Sequence, residues 1–235
     1  MSGPNRGYRP IAPETQPPYA VPAYGSTHKR APAQPLVAVE PTIEQAGPAF
    51  SPAQFPAAID MSREGGRDAM GQRIIVAGRV TDDGGRPVRD AMIELWQANA
   101  AGRYHHERDA HDAPLDPSFR GAGRVFTDGD GRYRFTSIKP GAYPWRNHPN
   151  AWRPNHIHFS LFGASWGARL VTQMYFPGDP LLAIDPIFNA VPDAAARARL
   201  VSVFDLALTQ PEWALGYRFD IVLRGLHATP MEGAA

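Results

Sequence analysis

A mainly β fold, an antiparallel sandwich with long loops, is what this 235-residue chain predicts. Three observations carry that prediction. Short β-branched and aromatic runs recur, separated by turn residues at intervals of roughly 8–15 positions. Glycine (22) and proline (25) make up a fifth of the chain, a poor composition for a helical protein. Only one segment carries a helical apolar period, and the strand–helix alternation of a parallel α/β fold is missing.

The elements follow in order. Twelve of the 25 prolines precede residue 60. Proline fixes φ and donates no hydrogen bond, so this stretch is neither a helical domain nor a central strand. It nevertheless carries Tyr8, Tyr19, Tyr24, Leu36, Val37, Val39 and Phe50, which a free linker has no need of. Residues 1–70 are therefore read as an extended, Pro-rich arm lying on its own core or on a partner subunit. Residues 71–235 are read as the sandwich domain.

Ile74-Ile75-Val76-Ala77-Gly78-Arg79-Val80 is a strand ended by the turn residues Asp82-Asp83-Gly84-Gly85. Ala91 to Gln97 is the next strand, and a long loop runs from Asn99 to Gly121. Val125-Phe126-Thr127 and Tyr133-Arg134-Phe135 flank Asp128-Gly129-Asp130-Gly131, which reads as a hairpin. Strands are expected at His156–Phe162 and Leu170–Phe176, and at Tyr217–Leu223, which alternates apolar and polar residues. Pro192-Asp193 opens the one predicted helix, with Leu200, Val203, Phe204 and Ala207 on a common face.

Charge and cysteine content narrow the chemistry. Lys and Arg (24) balance Asp and Glu (23), so nothing in the net charge draws the chain to nucleic acid or to an anionic membrane. Zero cysteine excludes a disulfide scaffold, an iron–sulfur cluster, a thiolate zinc site and a cysteine nucleophile. Any metal must be held by His, Tyr, Asp or Glu. The first residues lack the apolar stretch of a signal peptide, and no run approaches the ~18 apolar residues of a membrane span, so a cytoplasmic protein is expected.

His156-x-His158 is the sharpest local feature. On a strand, residues i and i+2 share a face about 6.6 Å apart, so both imidazoles can converge on one ion while Ile157 and Phe159 enter the core. The remaining ligands are open at this point. No glutamate follows closely enough for a cupin pattern, and Asp179 sits in the turn Pro177-Gly178-Asp179-Pro180. His105, His106, His111 and His148 leave zinc possible. Tyr104 and Tyr143 are alternative donors, each in a Gly- or Pro-rich loop where packing alone does not explain a tyrosine. A phenol of pKa about 10 ionises at neutral pH only beside something strongly cationic.

Trp96-Gln97-Ala98-Asn99-Ala100-x-Gly102-Arg103-Tyr104, Lys139-Pro140-Gly141-x-Tyr143-Pro144-Trp145 and Trp152-Arg153-Pro154-x-His156-Ile157-His158-Phe159 together strongly resemble the intradiol ring-cleavage dioxygenases. The resemblance runs from about Tyr24 to Arg224 and is greatest to the iron-bearing β chains of the protocatechuate-cleaving branch. It implies one non-haem Fe(III) per chain, held by Tyr104, Tyr143, His156 and His158 with hydroxide as fifth ligand. It implies O₂-dependent cleavage of protocatechuate to 3-carboxy-cis,cis-muconate, a step of aromatic catabolism in the β-ketoadipate pathway. Tyr143 would also take a substrate proton, and Arg153 would stabilise the carbanion-like ring. Tyr24, Trp145 and Gln173 would meet the substrate, with Trp96 and Tyr175 as pocket walls. The implied partner is a homologous iron-free α subunit. Two other readings remain: a catechol or hydroxyquinol dioxygenase, whose helical N-terminal domain the early prolines argue against, and a non-catalytic transthyretin-like binding module.

Overall fold

The computed structural model describes residues 13–18, 52–145, 151–162 and 169–232. Most of the expected arm, including Tyr8, Tyr19, Tyr24, Leu36, Val37, Val39 and Phe50, lies outside the described residues, as does His148.

Two sheets face each other. The first has the order β10 (Arg169–Tyr175), β9 (His156–Phe162), β4 (Met92–Trp96), β5 (Ala122–Phe126), all antiparallel. The second is built on β3 (Arg73–Thr81). One edge of β3 pairs antiparallel with β6 (Arg132–Ile138), and the other pairs parallel with β12 (Leu215–Arg218) and then β13 (Ile221–Val222). β11 (Val203–Phe204) closes the outer edge of β12.

The core lies between the sheets. Ile93, Leu95, Ile157, Phe159 and Leu161 from the first layer meet Ile74, Val76, Tyr133 and Phe135 from the second, all buried. Phe159 sits at the centre, edge-on to Phe135 and Tyr133 with centroids 6.0 Å from each. Such ring pairs add about 0.5–1.5 kcal/mol each beyond the area they bury. Because strand side chains alternate, committing Ile157, Phe159 and Leu161 to the core sends His156, His158 and Ser160 to the outer face of β9. That alternation places the functional site.

Several expectations need correction. The Asp128–Gly131 turn forms, with Asp128 Oδ1 accepting from Asp130 and Arg132 backbone N–H groups at 2.9 and 2.8 Å. Its flanking strands do not pair, however: β5 belongs to the first sheet and β6 to the second. The turn is an arch between layers rather than a hairpin, since β4 and β3 take the two strands as partners. The Tyr217–Leu223 strand is interrupted at Phe219–Asp220, where the Asp220 carboxylate replaces a ladder acceptor by receiving the Arg79 N–H at 2.9 Å. Its parallel pairing with β3 also makes this sheet mixed rather than antiparallel.

The predicted helix is cut short. Asp193 caps it, accepting from Ala196 N at 2.6 Å, but the helix spans only Ala194–Ala198 (α2), after a further short helix, α1 (Pro186–Asn189). Leu200 O then accepts from Tyr175 N, and Ser202 N donates to Tyr175 O, both at 2.8 Å. Bonding to the end of β10 draws the chain out of helix, so Val203 and Phe204 become an exposed edge strand. Among the described residues no helix is long and apolar enough to cross a membrane.

Residues 58–70 lie across the open side of the sandwich. Ala58 bridges to Arg124 of the first sheet and Asp60 to Thr136 of the second, followed by the small ribbon β1 (Arg63–Glu64) and β2 (Arg67–Asp68).

Candidate metal centre

Register assembles half of the site. Trp96 of β4, His158 of β9 and Gln173 of β10 are cross-strand partners in one row, and Tyr175 stands opposite His156 in the next. A second ladder, between β7 (Tyr143–Trp145) and β8 (Ala151–Arg153), sets Tyr143 directly opposite Arg153. Trp96 stacks flat on His158, with centroids 4.8 Å apart and ring planes within 5°.

Tyr104 arrives on a loop as expected, whereas Tyr143 opens strand β7, and Asn99 holds the two approaches together. Its side-chain oxygen accepts from Ala101 and Arg103 N–H at 2.9 Å, and its carbonyl accepts from Gly102 and Gly141 at 3.0 and 2.9 Å. Gly102 has φ +79° and lies so close to Ala142 that a Cβ there would stand 2.2 Å from the Ala142 carbonyl oxygen. Glycine alone accepts both the left-handed backbone and the close approach. The two tyrosine rings thereby meet edge to face at 5.3 Å.

Four donor atoms converge as a result. Tyr104 Oη lies 3.2 Å from His158 Nε2, Tyr143 Oη 3.4 Å from His156 Nε2, and the two Nε2 atoms lie 3.2 Å apart. The opposite ring nitrogens fix the tautomers. His156 Nδ1–H donates to the Pro154 carbonyl at 2.6 Å, and His158 Nδ1 is 3.1 Å from the Glu232 carboxylate. With Nδ1 protonated in both, both Nε2 lone pairs face the common centre, the orientation metal-ligating histidines adopt. Two facing lone pairs repel unless a cation or a proton lies between them.

Electrostatics point the same way. Burial pushes the Tyr104 phenol well above its ordinary pKa, with Tyr143 adding to the effect, and burial also raises Tyr143, where the Arg153 cation pulls the other way. Burial, then Arg153 and His158, hold His156 well below its ordinary value. A neutral His156 imidazole is a ready ligand. The phenols lose their protons only to a highly charged cation, and two phenolates offset most of a trivalent charge, so the donor set fits a hard ferric ion. Among the described residues no three His, Asp or Glu side chains gather as a metal site. His105 and His106 are exposed, and His111 packs on Trp152 instead.

The dioxygenase family model matches residues 45–225. The protocatechuate 3,4-dioxygenase beta chain of Burkholderia cepacia is 58% identical over 222 residues, covering 93% of this chain and 94% of that one. The chain belongs to the intradiol dioxygenase family. A second family model, the N-terminal segment of the protocatechuate 3,4-dioxygenase beta subunit, matches residues 9–42. The protocatechuate 3,4-dioxygenase alpha chain of the same organism is 33% identical over 160 residues, 67% of this chain and 75% of that one. The hydroxyquinol 1,2-dioxygenase structure from Pseudomonas putida DLL-E4 shares the fold at TM-score 0.54 and 23% identity, covering 87% of this chain and 69% of that one.

In this intradiol dioxygenase the remaining predicted site residues are placed as follows. Arg153 is 2% exposed and its cation lies 5.5 Å from the Trp145 ring centroid. Its Nε donates to Asp185 Oδ1 at 2.9 Å, and its Nη2 donates to Gln173 Oε1 and, at 3.2 Å, to Tyr175 Oη. Although burial disfavours the guanidinium charge, Tyr175, Asp185 and Tyr143 outweigh it and raise its pKa. Tyr175 is 1% exposed and its hydroxyl is spent on Gln173 and Asp185, so it is a member of this buried network rather than an open wall. Tyr24 lies outside the described residues.

Two participants escaped the sequence reading. Asp185 precedes Pro186 and looks like a plain helix cap, which it also is, accepting from Phe188 N at 3.3 Å. Glu232 has no local signal at all, being brought to His158 by tertiary packing. Burial alone would raise its pKa, but His158 and then Arg153 hold the carboxyl below its ordinary range.

Proposed function

We propose that the chain catalyses intradiol cleavage of protocatechuate by O₂ to 3-carboxy-cis,cis-muconate, with one non-haem Fe(III) held by Tyr104, Tyr143, His156 and His158. The observation that carries this reading is the convergence of two phenol oxygens and two correctly tautomerised imidazole nitrogens on one point. Support for the substrate comes from the end-to-end likeness to a protocatechuate 3,4-dioxygenase beta chain and from the family match over residues 9–42.

Bound Fe(III) would draw electron density from a chelated catecholate, so that the aromatic ring becomes the partner of O₂. The chain does the rest. Tyr143 Oη takes one proton from the incoming diol, its basicity set by burial working against the Arg153 cation. Arg153, held rigid by Asp185 and Gln173, places a fixed positive charge beside Tyr143, where negative charge on the ring develops. In this reading Trp145 is assigned to the substrate approach, buried Gln173 acts there through its bond to Arg153, and Tyr24, outside the described residues, is assigned by the family likeness alone.

The partner in this reading is a homologous iron-free α chain. Val203, Phe204 and Leu206, 54%, 46% and 76% exposed, form an apolar stretch at the open edge of β11 that a second subunit would cover. Oxygen uptake is the direct test. One O₂ should be consumed per protocatechuate with 3-carboxy-cis,cis-muconate as product, and catechol should react at least tenfold more slowly. Preference for catechol would move the chain to another branch of the family, and no uptake with either diol would refute the reading.

A further inference from the structure

The carboxylate that faces His158 Nδ1 is delivered by the C-terminal segment, along a path that the chemistry above does not draw on. From Ala228 to Glu232 the chain is fastened at each step: Arg199 Nε donates to Ala228 O at 3.1 Å, Thr229 N to Val222 O at 2.8 Å, Thr172 Oγ1 to Pro230 O at 2.7 Å, and Glu232 N to Val171 O at 2.7 Å. Ala228, Thr229 and Pro230 are buried. Met231 N donates to Gln16 Oε1 at 2.7 Å, a contact 215 residues away in sequence. The segment around Gln16 is itself anchored, since Asp193 N donates to Glu14 O at 2.9 Å. Only at the end of this path does a functional group appear: Glu232 Oε2, 3.1 Å from His158 Nδ1, with both side chains largely shielded from solvent.

We propose that Glu232 is a positioning residue for the metal centre, holding His158 in the Nδ1-protonated tautomer, and that Gln16 latches the segment that delivers it. The inference rests on the ferric reading of the site. A carboxylate on the outer nitrogen of a ligating imidazole fixes the ring and increases its basicity, and loss of such a partner costs about 10–100-fold in metal affinity. Trp96 stacks on one face of the His158 ring, so the carboxylate at its edge and the indole on its face together leave the imidazole one orientation. His156 lacks this arrangement, using the Pro154 carbonyl two residues away. The segment around Gln16 is thereby coupled to the site through one amide oxygen.

The test uses the full-length chain loaded with Fe(III), following iron release to a chelator and the visible tyrosinate-to-Fe(III) absorption. Glu232→Ala should release iron roughly 10–100-fold faster. Glu232→Gln, which keeps an acceptor but removes the charge, should retain iron better than Glu232→Ala. It should also move the absorption to longer wavelength, because a less donating imidazole makes the ferric ion easier to reduce. Gln16→Ala should speed release in the unaltered chain and add little to Glu232→Ala, the non-additivity expected of two residues acting through one contact. An unaltered chain that holds iron, with Glu232→Ala matching it in release rate and spectrum, overturns this inference alone. Strictly additive effects of Gln16→Ala and Glu232→Ala overturn the latch. An unaltered chain that takes up no Fe(III) overturns the ferric reading and this inference with it.

Discussion

Arg153→Ala is expected to fail twice, in stability and in turnover, and the two failures can be separated. Asp185 is fully buried and its carboxylate is matched by the Arg153 guanidinium at 2.9 Å. Removing one member of such a pair leaves an uncompensated buried charge, at a cost of about 3–5 kcal/mol. For a chain of this size that corresponds to a fall of ~6–20 °C in Tm. Arg153→Met combined with Asp185→Asn removes both charges, while the introduced amide keeps an acceptor for the Phe188 N–H, so most of the stability should return. Turnover should not return, because the fixed positive charge beside Tyr143 is gone; a loss of about 10²–10³ in kcat is expected. Recovery of wild-type turnover in the double variant would make Arg153 a structural residue only. Thermal melts and steady-state oxygen uptake on the same preparations decide the matter.

The second large effect concerns the donor set. His158→Ala removes a ligand and the ring on which Trp96 stacks, and should leave the purified protein with little iron and no measurable cleavage. Tyr143→Phe should behave differently. The phenyl ring keeps its edge-to-face contact with Tyr104 and both imidazoles stay in place, so the protein should keep iron while its visible absorption shifts. Its turnover should fall by about 10²–10⁴, the range ascribed to a positioned proton acceptor. Metal analysis beside a visible spectrum distinguishes the two variants, and equal iron loss in both would contradict the separate roles given to His158 and Tyr143.

Much of the site was legible because its components obey local rules. The alternation of β9 requires that His156 and His158 share one face once Ile157 and Phe159 are buried, and Gly102 and Gly141 announce loops that approach closely. What was not legible depended on non-local choices. The Asp128–Gly131 turn has the same local chemistry in an arch as in a hairpin, and only the competing partners β3 and β4 decide between them. Leu200, Val203 and Phe204 keep a helical spacing, yet pairing with Tyr175 and β12 outweighs the marginal stability of so short a helix. Asp185 wore the appearance of a cap, and Glu232 reached the site through bonds that its segment makes to distant residues, among them Val171, Thr172 and Gln16. Charged groups that act through space leave no period in a sequence.

The central claim, that two tyrosines and two histidines hold a ferric ion, is tested most directly by the visible spectrum and metal content of the purified full-length chain. A tyrosinate-to-Fe(III) band should colour the protein red-brown, with one iron per chain, and anaerobic protocatechuate should shift the band. A colourless protein carrying one zinc, or an iron protein whose spectrum is unchanged in Tyr104→Phe and Tyr143→Phe, would contradict the account.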